Sequence, residues 1–224
     1  GSLARGKIQS EDWFLPQVGA VLHLGNQAEI FASYTENMRA FIAAATAPPF
    51  SITQVAFNSV ANTVRPEKSK TAEGGVRVRA GGLQLSAVGY YIDFSDRLLT
   101  YSIGTAIQGI PPTLNNVGGV ESYGAELSAF YRVTPALSAL ASYSYNHATY
   151  QQTVRDGQGN LLSEKGRYVV GQPQDMVKGE LVYDDSRVFG RVGADYMSKR
   201  YYTYLNDQSV DGRVLVDASI GYRF

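Results

Sequence analysis

Apolar and polar residues alternate with a period of two along much of this chain, most clearly over residues 213–224. Successive side chains of a β-strand point to opposite faces, so a segment with this period has one apolar face and one polar face. Such a strand suits a boundary between hydrocarbon and water. In residues 213–224 the apolar parity is Val214, Val216, Ala218, Ile220, Tyr222 and Phe224, and the other parity includes Arg213, Asp217 and Arg223.

Nine segments share this alternation and predict nine β-strands. One of them is ambiguous, because Leu83 and Leu85 have the opposite parity from the apolar positions of residues 88–94. A β-bulge near Ala87 would reconcile the two halves. The predicted strands are residues 16–24, 28–38, 70–80, 83–99, 117–133, 137–149, 175–184, 188–202 and 212–224.

The connections between these segments alternate between short turns and long loops. Transmembrane β-barrels have short periplasmic turns and longer extracellular loops. This alternation of connection lengths therefore predicts an all-β, antiparallel transmembrane β-barrel with its C-terminus at the periplasmic side. The short turns are residues 25–27, 80–82, 134–135 and 185–187, and the long loops are residues 39–69, 100–116, 149–174 and 202–211.

The number of strands bears on the extent of the domain. Bacterial single-chain barrels have an even number of strands, and open sheet edges are not tolerated in hydrocarbon. Nine is odd, so we expect residues 1–224 to be the C-terminal part of one transmembrane β-barrel domain whose N-terminal strands lie outside this chain. Residues 1–15 lack the apolar stretch of a signal peptide and are expected to end an extracellular loop.

The composition excludes some classes of function. The chain has 20 basic and 20 acidic residues, so it offers no excess positive charge for a nucleic-acid partner. A mean hydropathy of −0.17 is compatible with a barrel, in which lipid-facing and lumen-facing residues alternate. The 16 tyrosines suit a membrane interface, and cysteine is absent. No cofactor and no metal site is expected.

Enzymatic activity is not expected either. The chain has two histidines, and catalytic groups of membrane-barrel hydrolases lie near the extracellular rim. His23 has the inward parity but is next to a periplasmic turn, and His147 has the lipid-facing parity. Neither has an obvious nucleophile and orienting partner at the correct end of the barrel.

Three sequence stretches narrow the class of barrel. Residues 116–127 read NVGGVESYGAEL, residues 66–75 read PEKSKTAEGG, and the chain ends in GYRF. The order of these three stretches, and the alternation of strands with short turns and long loops around them, resemble the barrel of TonB-dependent outer-membrane receptors. The first stretch is similar to a recurring motif of that family, and the second resembles its entry into a strand after a long outer loop.

The resemblance implies TonB-energised import across the bacterial outer membrane of a scarce nutrient such as a ferric siderophore, haem, cobalamin or saccharide. Barrels of this family have about 22 strands around a plug. The plug and the TonB-contacting segment are expected to lie outside these residues, so TonB would act only through a missing N-terminal region. The resemblance also implies that Tyr222 and Phe224 form the signal read by the barrel-insertion machinery. The alternative is a passive porin or structural barrel segment without TonB coupling.

The inward parity predicts a charged lumen wall that contacts water, while the other parity contacts outer-membrane lipid. Glu126 is expected either to pair with Arg77 or Arg132, or to be a structural wall residue. Gly118, Gly119 and Gly124 are expected to leave room in a crowded wall. The predicted lumen-wall residues are Glu73, Arg77, Glu126, Arg132, Arg191, Asp195 and Asp217.

Two loop regions are candidates for extracellular ligand contacts with a small molecule or metal chelate. Around residue 200, a group of aromatic and basic side chains, which we call the mouth, would hold an anion or stack on a sugar ring. The alternative is that these side chains form an interfacial girdle with snorkelling cations. The loop 39–69 has the length for a ligand lid or for a short packed helix. The residues of the mouth are Lys199, Arg200, Tyr201, Tyr202 and Tyr204.

Overall fold

A computed structural model describes residues 5–39, 54, 58, 61, 64–101, 113–155, 159 and 161–224. Most of the loop 39–69, with its predicted lid or helix, lies outside the described residues. None of the described residues belongs to a helix long and apolar enough to cross a membrane. The strands are β1 (Gln17–Leu24), β2 (Ala28–Arg39), β3 (Glu67–Ala80), β4 (Leu83–Ser95), β5 (Leu98–Tyr101), β6 (Thr113–Asn116), β7 (Val120–Arg132), β8 (Leu137–Tyr150), β9 (Val154–Arg155), β10 (Leu161–Ser163), β11 (Asp175–Asp184), β12 (Val188–Met197), β13 (Arg200–Tyr201), β14 (Ser209–Val210) and β15 (Arg213–Tyr222).

The long strands form one nine-stranded sheet in the order β1-β2-β3-β4-β7-β8-β11-β12-β15. Every neighbouring pair is antiparallel, and each predicted segment corresponds to one of these strands. The prediction of an all-β, antiparallel fold is therefore confirmed. Several strands are shorter than predicted, most clearly β4, which ends at Ser95, β7, which begins at Val120, and β12, which ends at Met197. Three small two-stranded sheets, β5–β6, β9–β10 and β13–β14, lie in the long connections.

The pairing register is continuous in all the ladders of the large sheet, so side chains alternate strictly between two faces. One row across the sheet illustrates this: Glu73 pairs with Tyr90, which pairs with Gly124, which pairs with Asn146. We call the face that carries Glu73 the polar face and the other the apolar face. By this register the polar face includes Glu73, Arg77, Glu126, Arg132, Arg191, Asp195 and Asp217.

The bulge near Ala87 that would reconcile the two halves of the ambiguous segment does not form. β3 and β4 pair without a shift from Lys68 and Ser95 to Ala80 and Leu83. The alternate residues from Val88 to Phe94 therefore lie on the polar face although most of them are apolar, which resolves the ambiguity of this segment. The physical reason is that loop residues cover this end of the polar face, and Phe94 packs against them.

The buried apolar core is small and lies on the polar face, where the long loops fold over the sheet. Tyr150 and Val120 end neighbouring strands there and are almost fully buried. On the apolar face, by contrast, large side chains are open, and Val216 is 70% and Ile220 84% exposed. A sheet whose apolar face is uncovered suits hydrocarbon as its surroundings. The loop core consists of Val117, Val120, Ala148, Tyr150, Leu162 and Val169.

The short turns at the opposite end of the sheet are closed by local hydrogen bonds. In the β11–β12 turn, the Asp185 carboxylate accepts hydrogen bonds from the backbone N–H of Val188 at 2.7 Å and of Arg187 at 3.0 Å. These donors lower the pKa of the Asp185 carboxyl. In the β1–β2 turn Gly25 has φ of 68°, a conformation that favours glycine. Because local chemistry fixes these turns, it also fixes the register of the long strands.

The two faces can be distinguished by one matched pair of substitutions on β8. Ala141 lies on the apolar face and pairs with Gly179 near the middle of β11, while its neighbour Ser142 lies on the polar face. We expect Ala141→Arg to destabilise the folded protein by about 2–4 kcal/mol if it faces mid-bilayer lipid, and Ser142→Arg to cost clearly less. Chemical unfolding of the full-length protein from lipid vesicles measures both. Equal penalties would contradict the assignment of the faces.

Candidate functional site

Charged side chains on the polar face form ion pairs across neighbouring strands. Arg77 lies 3.0 Å from Glu29 on β2. Arg191 on β12 bridges Glu180 of β11 at 3.3 Å and Asp217 of β15 at 2.8 Å. The arginine side chains are about half exposed, so each pair contributes little in water but keeps the face hydrated. The arrangement is that of a polar wall rather than a catalytic cluster.

Two further predicted wall residues also have cross-strand partners on this face. Asp195 lies 3.9 Å from the Lys178 ammonium, and Glu73 accepts a hydrogen bond of 3.0 Å from the Ser33 hydroxyl. Their role as a lumen wall stays a prediction, because it needs the barrel to be closed.

Of the two alternatives for Glu126, an ion pair with Arg77 or Arg132 does not form among the described residues. Arg77 pairs with Glu29 instead, because these residues lie opposite each other in the β2–β3 register. Arg132 is on the same strand as Glu126 but six residues away, which is about 20 Å in a β-strand. In the part of the chain that the structure describes, neither an ion pair nor a hydrogen bond joins Glu126 to another side chain.

A hydrogen-bonded polar network lies between the ion pairs and the loop core. Asn146 is at its centre, and its side-chain oxygen accepts hydrogen bonds from the hydroxyls of Tyr90 at 3.2 Å and Ser122 at 2.8 Å. The Asn146 amide nitrogen donates to Gln172, 3.0 Å away in the long connection before β11. The network lines a cavity of about 400 Å³ on the polar face. Its side chains are held in place before any ligand arrives.

Gly124 explains how Tyr90 reaches this network. A Cβ atom built at Gly124 would lie 2.6 Å from the Tyr90 hydroxyl oxygen and still closer to a backbone oxygen of β8. Only a glycine therefore lets the tyrosine ring cross the wall to Asn146. Gly124, one of three glycines in the NVGGVESYGAEL stretch, thus leaves space in the wall, and the side chain that occupies this space is Tyr90.

The long connections are tied together above this network. The Ser163 hydroxyl, which is fully buried, lies 2.8 Å from the carbonyl oxygen of Val117 and 3.0 Å from that of Gln152. Glu67, at the start of β3, accepts a hydrogen bond of 2.7 Å from the backbone N–H of Leu98. These contacts join connections that are distant in sequence into one packed layer over the polar face, which we call the roof.

The predicted mouth residues are not brought together in one site. Tyr201 stacks on Tyr168 with ring centroids 6.0 Å apart, and the Lys199 ammonium lies 5.2 Å from the Tyr201 ring. Tyr168 in turn contacts His147, which stacks on Tyr123 of the apolar face. This row has the geometry of an interfacial girdle, the alternative interpretation from the sequence.

The other mouth residues point elsewhere. Tyr204 packs against Tyr150 of the loop core, with ring centroids 6.2 Å apart. Tyr202 is exposed and donates a hydrogen bond to Gln208 within its own hairpin. The Arg200 guanidinium contacts the Met197 sulfur at 3.3 Å. Ligand binding by these five residues stays a prediction, and they do not act as one cluster in this arrangement.

The histidines form no catalytic or metal constellation in the described residues. His23 lies 3.5 Å from Glu29 near a short turn, and His147 is part of the aromatic row. Among the described residues, no three His, Asp or Glu side chains are grouped as a metal site.

Sequence reasoning missed Tyr90, Asn146, Gln172 and Arg97, which line the cavity together. The parity of the segment that contains Tyr90 was ambiguous, so the sequence did not assign Tyr90 to a face. Gln172 and Arg97 lie in connections, where no periodic pattern indicates which face of the sheet they will cover.

The comparisons with known proteins fit this geometry. A family profile described as TonB dependent receptor-like, beta-barrel matches residues 2–224. Among curated proteins, the ferrioxamine B receptor of Salmonella typhimurium strain SL1344 is 26% identical over 169 residues, which cover 72% of this chain and 22% of that receptor.

Solved structures of low sequence identity share the fold. The siderophore receptor PiuA from Acinetobacter baumannii is similar with a TM-score of 0.69 and 19% identity, over 92% of this chain and 29% of that chain. The ferric yersiniabactin uptake receptor FyuA from Yersinia pestis gives a TM-score of 0.65 and 18% identity, over 93% of this chain and 29% of that chain.

The fold and the matches define a wall of an outer-membrane β-barrel receptor. This chain belongs to the TonB-dependent receptor family, in its β-barrel domain. Members of the family reside in the bacterial outer membrane and are transport receptors, not enzymes, in agreement with the sequence expectation. The chain spans less than a third of the length of the relatives named above.

The role of Gly124 gives a direct test of the packed wall. We expect Gly124→Ala to lower the free energy of unfolding by about 1–3 kcal/mol, because the added methyl overpacks against Tyr90 and β8. Gly179→Ala is the matched control, since a Cβ atom there meets nothing within 4 Å. Gel mobility of unboiled full-length protein after heating steps measures both. A Gly124→Ala variant as heat-resistant as the control would contradict the packing.

Proposed function

We propose that this chain forms part of the barrel wall of an outer-membrane receptor that imports a small metal chelate of the ferric siderophore type, energised through TonB. Membership of the receptor family carries the proposal, and the names of the relatives support the substrate class, since they are receptors for ferrioxamine B and ferric yersiniabactin. The polar face supplies a hydrated wall, and the roof of packed connections lies where a ligand would enter.

The proposal includes further strands and a plug from the same protein. β1 and β15 are the two edges of the described sheet, and their side chains are almost entirely exposed. Unpaired strand edges are not tolerated in hydrocarbon, so we propose that strands outside residues 1–224 pair with both edges and close a barrel of about 22 strands. A plug inside that barrel would contact the polar face and connect it to TonB.

The proposed orientation places the short turns in the periplasm and the packed roof outside the cell. Tyr222 and Phe224 belong to the end with the short turns, where their rings contact each other at 5.2 Å and are exposed. We propose that these two residues, the last apolar positions of the alternating C-terminal segment, form the assembly signal. Outer-membrane lipid then contacts the apolar face.

Uptake of radiolabelled iron tests the proposed function. Cells that make the full-length receptor should accumulate iron from ferrioxamine B or yersiniabactin only when TonB is present and the inner membrane is energised. Cells without the receptor are the control. Accumulation that is equal with and without TonB would indicate a passive porin and contradict the proposal, as would the absence of receptor-dependent accumulation of either chelate.

The orientation is tested by cysteine labelling, because this chain has no cysteine of its own. Lys165 is exposed in the roof, and Asn26 is exposed in the β1–β2 turn. In intact cells, a membrane-impermeant maleimide should label Lys165→Cys and should label Asn26→Cys only after the outer membrane is permeabilised. Labelling of Asn26→Cys in intact cells, with Lys165→Cys protected, would reverse the orientation.

A further inference from the structure

Residues 10–16, which precede β1 and which we call the strap, cross the ends of β2 and β3 that lie toward the long connections. The Ser10 hydroxyl lies 3.5 Å from the Met38 sulfur, and the Asp12 carboxylate lies 2.6 Å from the Lys68 ammonium. Met38 and Lys68 are directly opposite each other in the β2–β3 register, and both lie on the apolar face. The strap is therefore held to the face of the sheet that is opposite to the roof.

Hydrogen bonds fix the conformation of the strap. The carbonyl oxygen of Pro16 accepts a hydrogen bond of 2.9 Å from the backbone N–H of Glu36 on β2. The Asp12 carboxylate accepts a hydrogen bond of 3.1 Å from the backbone N–H of Phe14. The Lys68 ammonium and this N–H lower the pKa of the Asp12 carboxyl, so the carboxylate is charged and paired with Lys68 at neutral pH.

The strap presents two large aromatic side chains to its surroundings. Trp13 is 95% exposed and Phe14 is 75% exposed, whereas Ser10, Asp12 and Pro16, which contact the sheet, are half-buried. Trp13 is the single tryptophan of the chain. Adjacent exposed aromatic residues on a segment that is otherwise tied down indicate a contact with something outside these residues.

Two rows of side chains on the apolar face mark the level at which the strap lies. The Tyr34 hydroxyl donates a hydrogen bond of 2.6 Å to Glu36, and the Tyr91 hydroxyl donates one of 2.8 Å to Glu121. By register, Tyr34, Tyr91 and Tyr123 form one row across the sheet. The next row toward the long connections contains Glu36, Lys70, Asp93 and Glu121.

The change from tyrosines to charges places the membrane boundary between these rows. Charged side chains on a lipid-facing surface are costly in hydrocarbon, and the cost falls near the interface, where tyrosine and tryptophan are enriched. Pro16 is bonded to Glu36 of the charged row, and Lys68 is two residues farther outward, about 7 Å along the strand. The strap therefore lies at the level of the lipid headgroups.

The position of the strap leaves lipid as the partner for its aromatic side chains. A strand that paired with the free edge of β1 would lie on the other side of β1 from β2 and β3, which the strap crosses. The roof and a plug belong to the polar face. The surface beside the strap is the apolar face, which is the proposed contact with the membrane.

We propose that the strap is an interfacial anchor, in which the rings of Trp13 and Phe14 insert into the outer leaflet and the Asp12–Lys68 ion pair holds the segment against the barrel. The anchor adds to the tyrosine row a membrane contact made by a segment outside the strands. This inference goes beyond import and rests only on the proposed contact of the apolar face with lipid.

Tryptophan fluorescence of the full-length receptor in phosphatidylcholine vesicles tests the anchor. The emission of Trp13 is the difference between the wild type and Trp13→Phe, measured in ordinary vesicles and in vesicles whose acyl chains carry bromine, a collisional quencher. We expect brominated lipid to remove most of this difference emission. Val216→Trp on the apolar face should be quenched likewise, and Lys165→Trp in the roof should not, each taken as its difference from the wild type.

Heat-modifiable gel mobility establishes that each variant is folded, and Trp13→Tyr replaces Trp13→Phe if the latter does not fold. Emission of Trp13 that brominated lipid leaves unchanged, with Val216→Trp quenched, would overturn the anchor and keep the lipid-facing assignment. Trp13 emission that changes only with the density of receptor in the vesicle would indicate contact with a second copy and would also overturn it. Unquenched Val216→Trp would contradict the lipid contact on which the inference rests.

The role of the ion pair is tested in the same vesicles. Lys68→Gln should reduce the quenching of Trp13 by brominated lipid, because the strap loses its charged contact with β3. Lys70→Gln is the matched control, since Lys70 lies on the same face of β3 but the Asp12 carboxylate pairs with Lys68. Equal quenching in the two variants would overturn the assignment of the ion pair as the tether. These measurements do not depend on TonB, so their outcome is independent of the iron-uptake assay.

Discussion

The structure depends on the need to pair every backbone N–H and C=O group in a medium that offers no other partner. Continuous antiparallel ladders meet this need across the sheet, and no register shift interrupts them. Because the register is unbroken, the face of one side chain determines the face of all its neighbours. The unbroken register therefore places an apolar surface on one face of this single-layered sheet and a charged surface on the other.

The polar face changes character along the strands, and this gradient is the basis of the functional interpretation. Near the short turns it carries ion pairs such as Arg77 with Glu29, which remain accessible to water. Under the long connections it becomes apolar, with Tyr150 and Val120 buried by the roof. The hydrogen-bonded network around Asn146 lies between these regions and lines a cavity on the polar face.

The strands were predictable because alternation is a local property, and the predicted segments 212–224 and 137–149 correspond to β15 and β8. Alternation alone could not assign Val88 and Phe94 to a face, because it does not reveal that loops cover one end of the polar face. The sequence also left the partner of Glu126 open, since cross-strand partners depend on register. Arg97 carries no sequence signal, because its contact with Phe94 arises only when the chain turns back over β4.

The central claim, that the two faces meet lipid and water, is tested most directly by scanning single nitroxide labels along residues 138–145 of β8 in the full-length receptor in lipid vesicles. Collision with oxygen, which concentrates in hydrocarbon, is compared with collision with a water-soluble nickel chelate. The account predicts a period of two, with oxygen collisions highest at 139, 141, 143 and 145, the positions of the apolar face. A scan without this period, or with its maxima at the even positions, would contradict it.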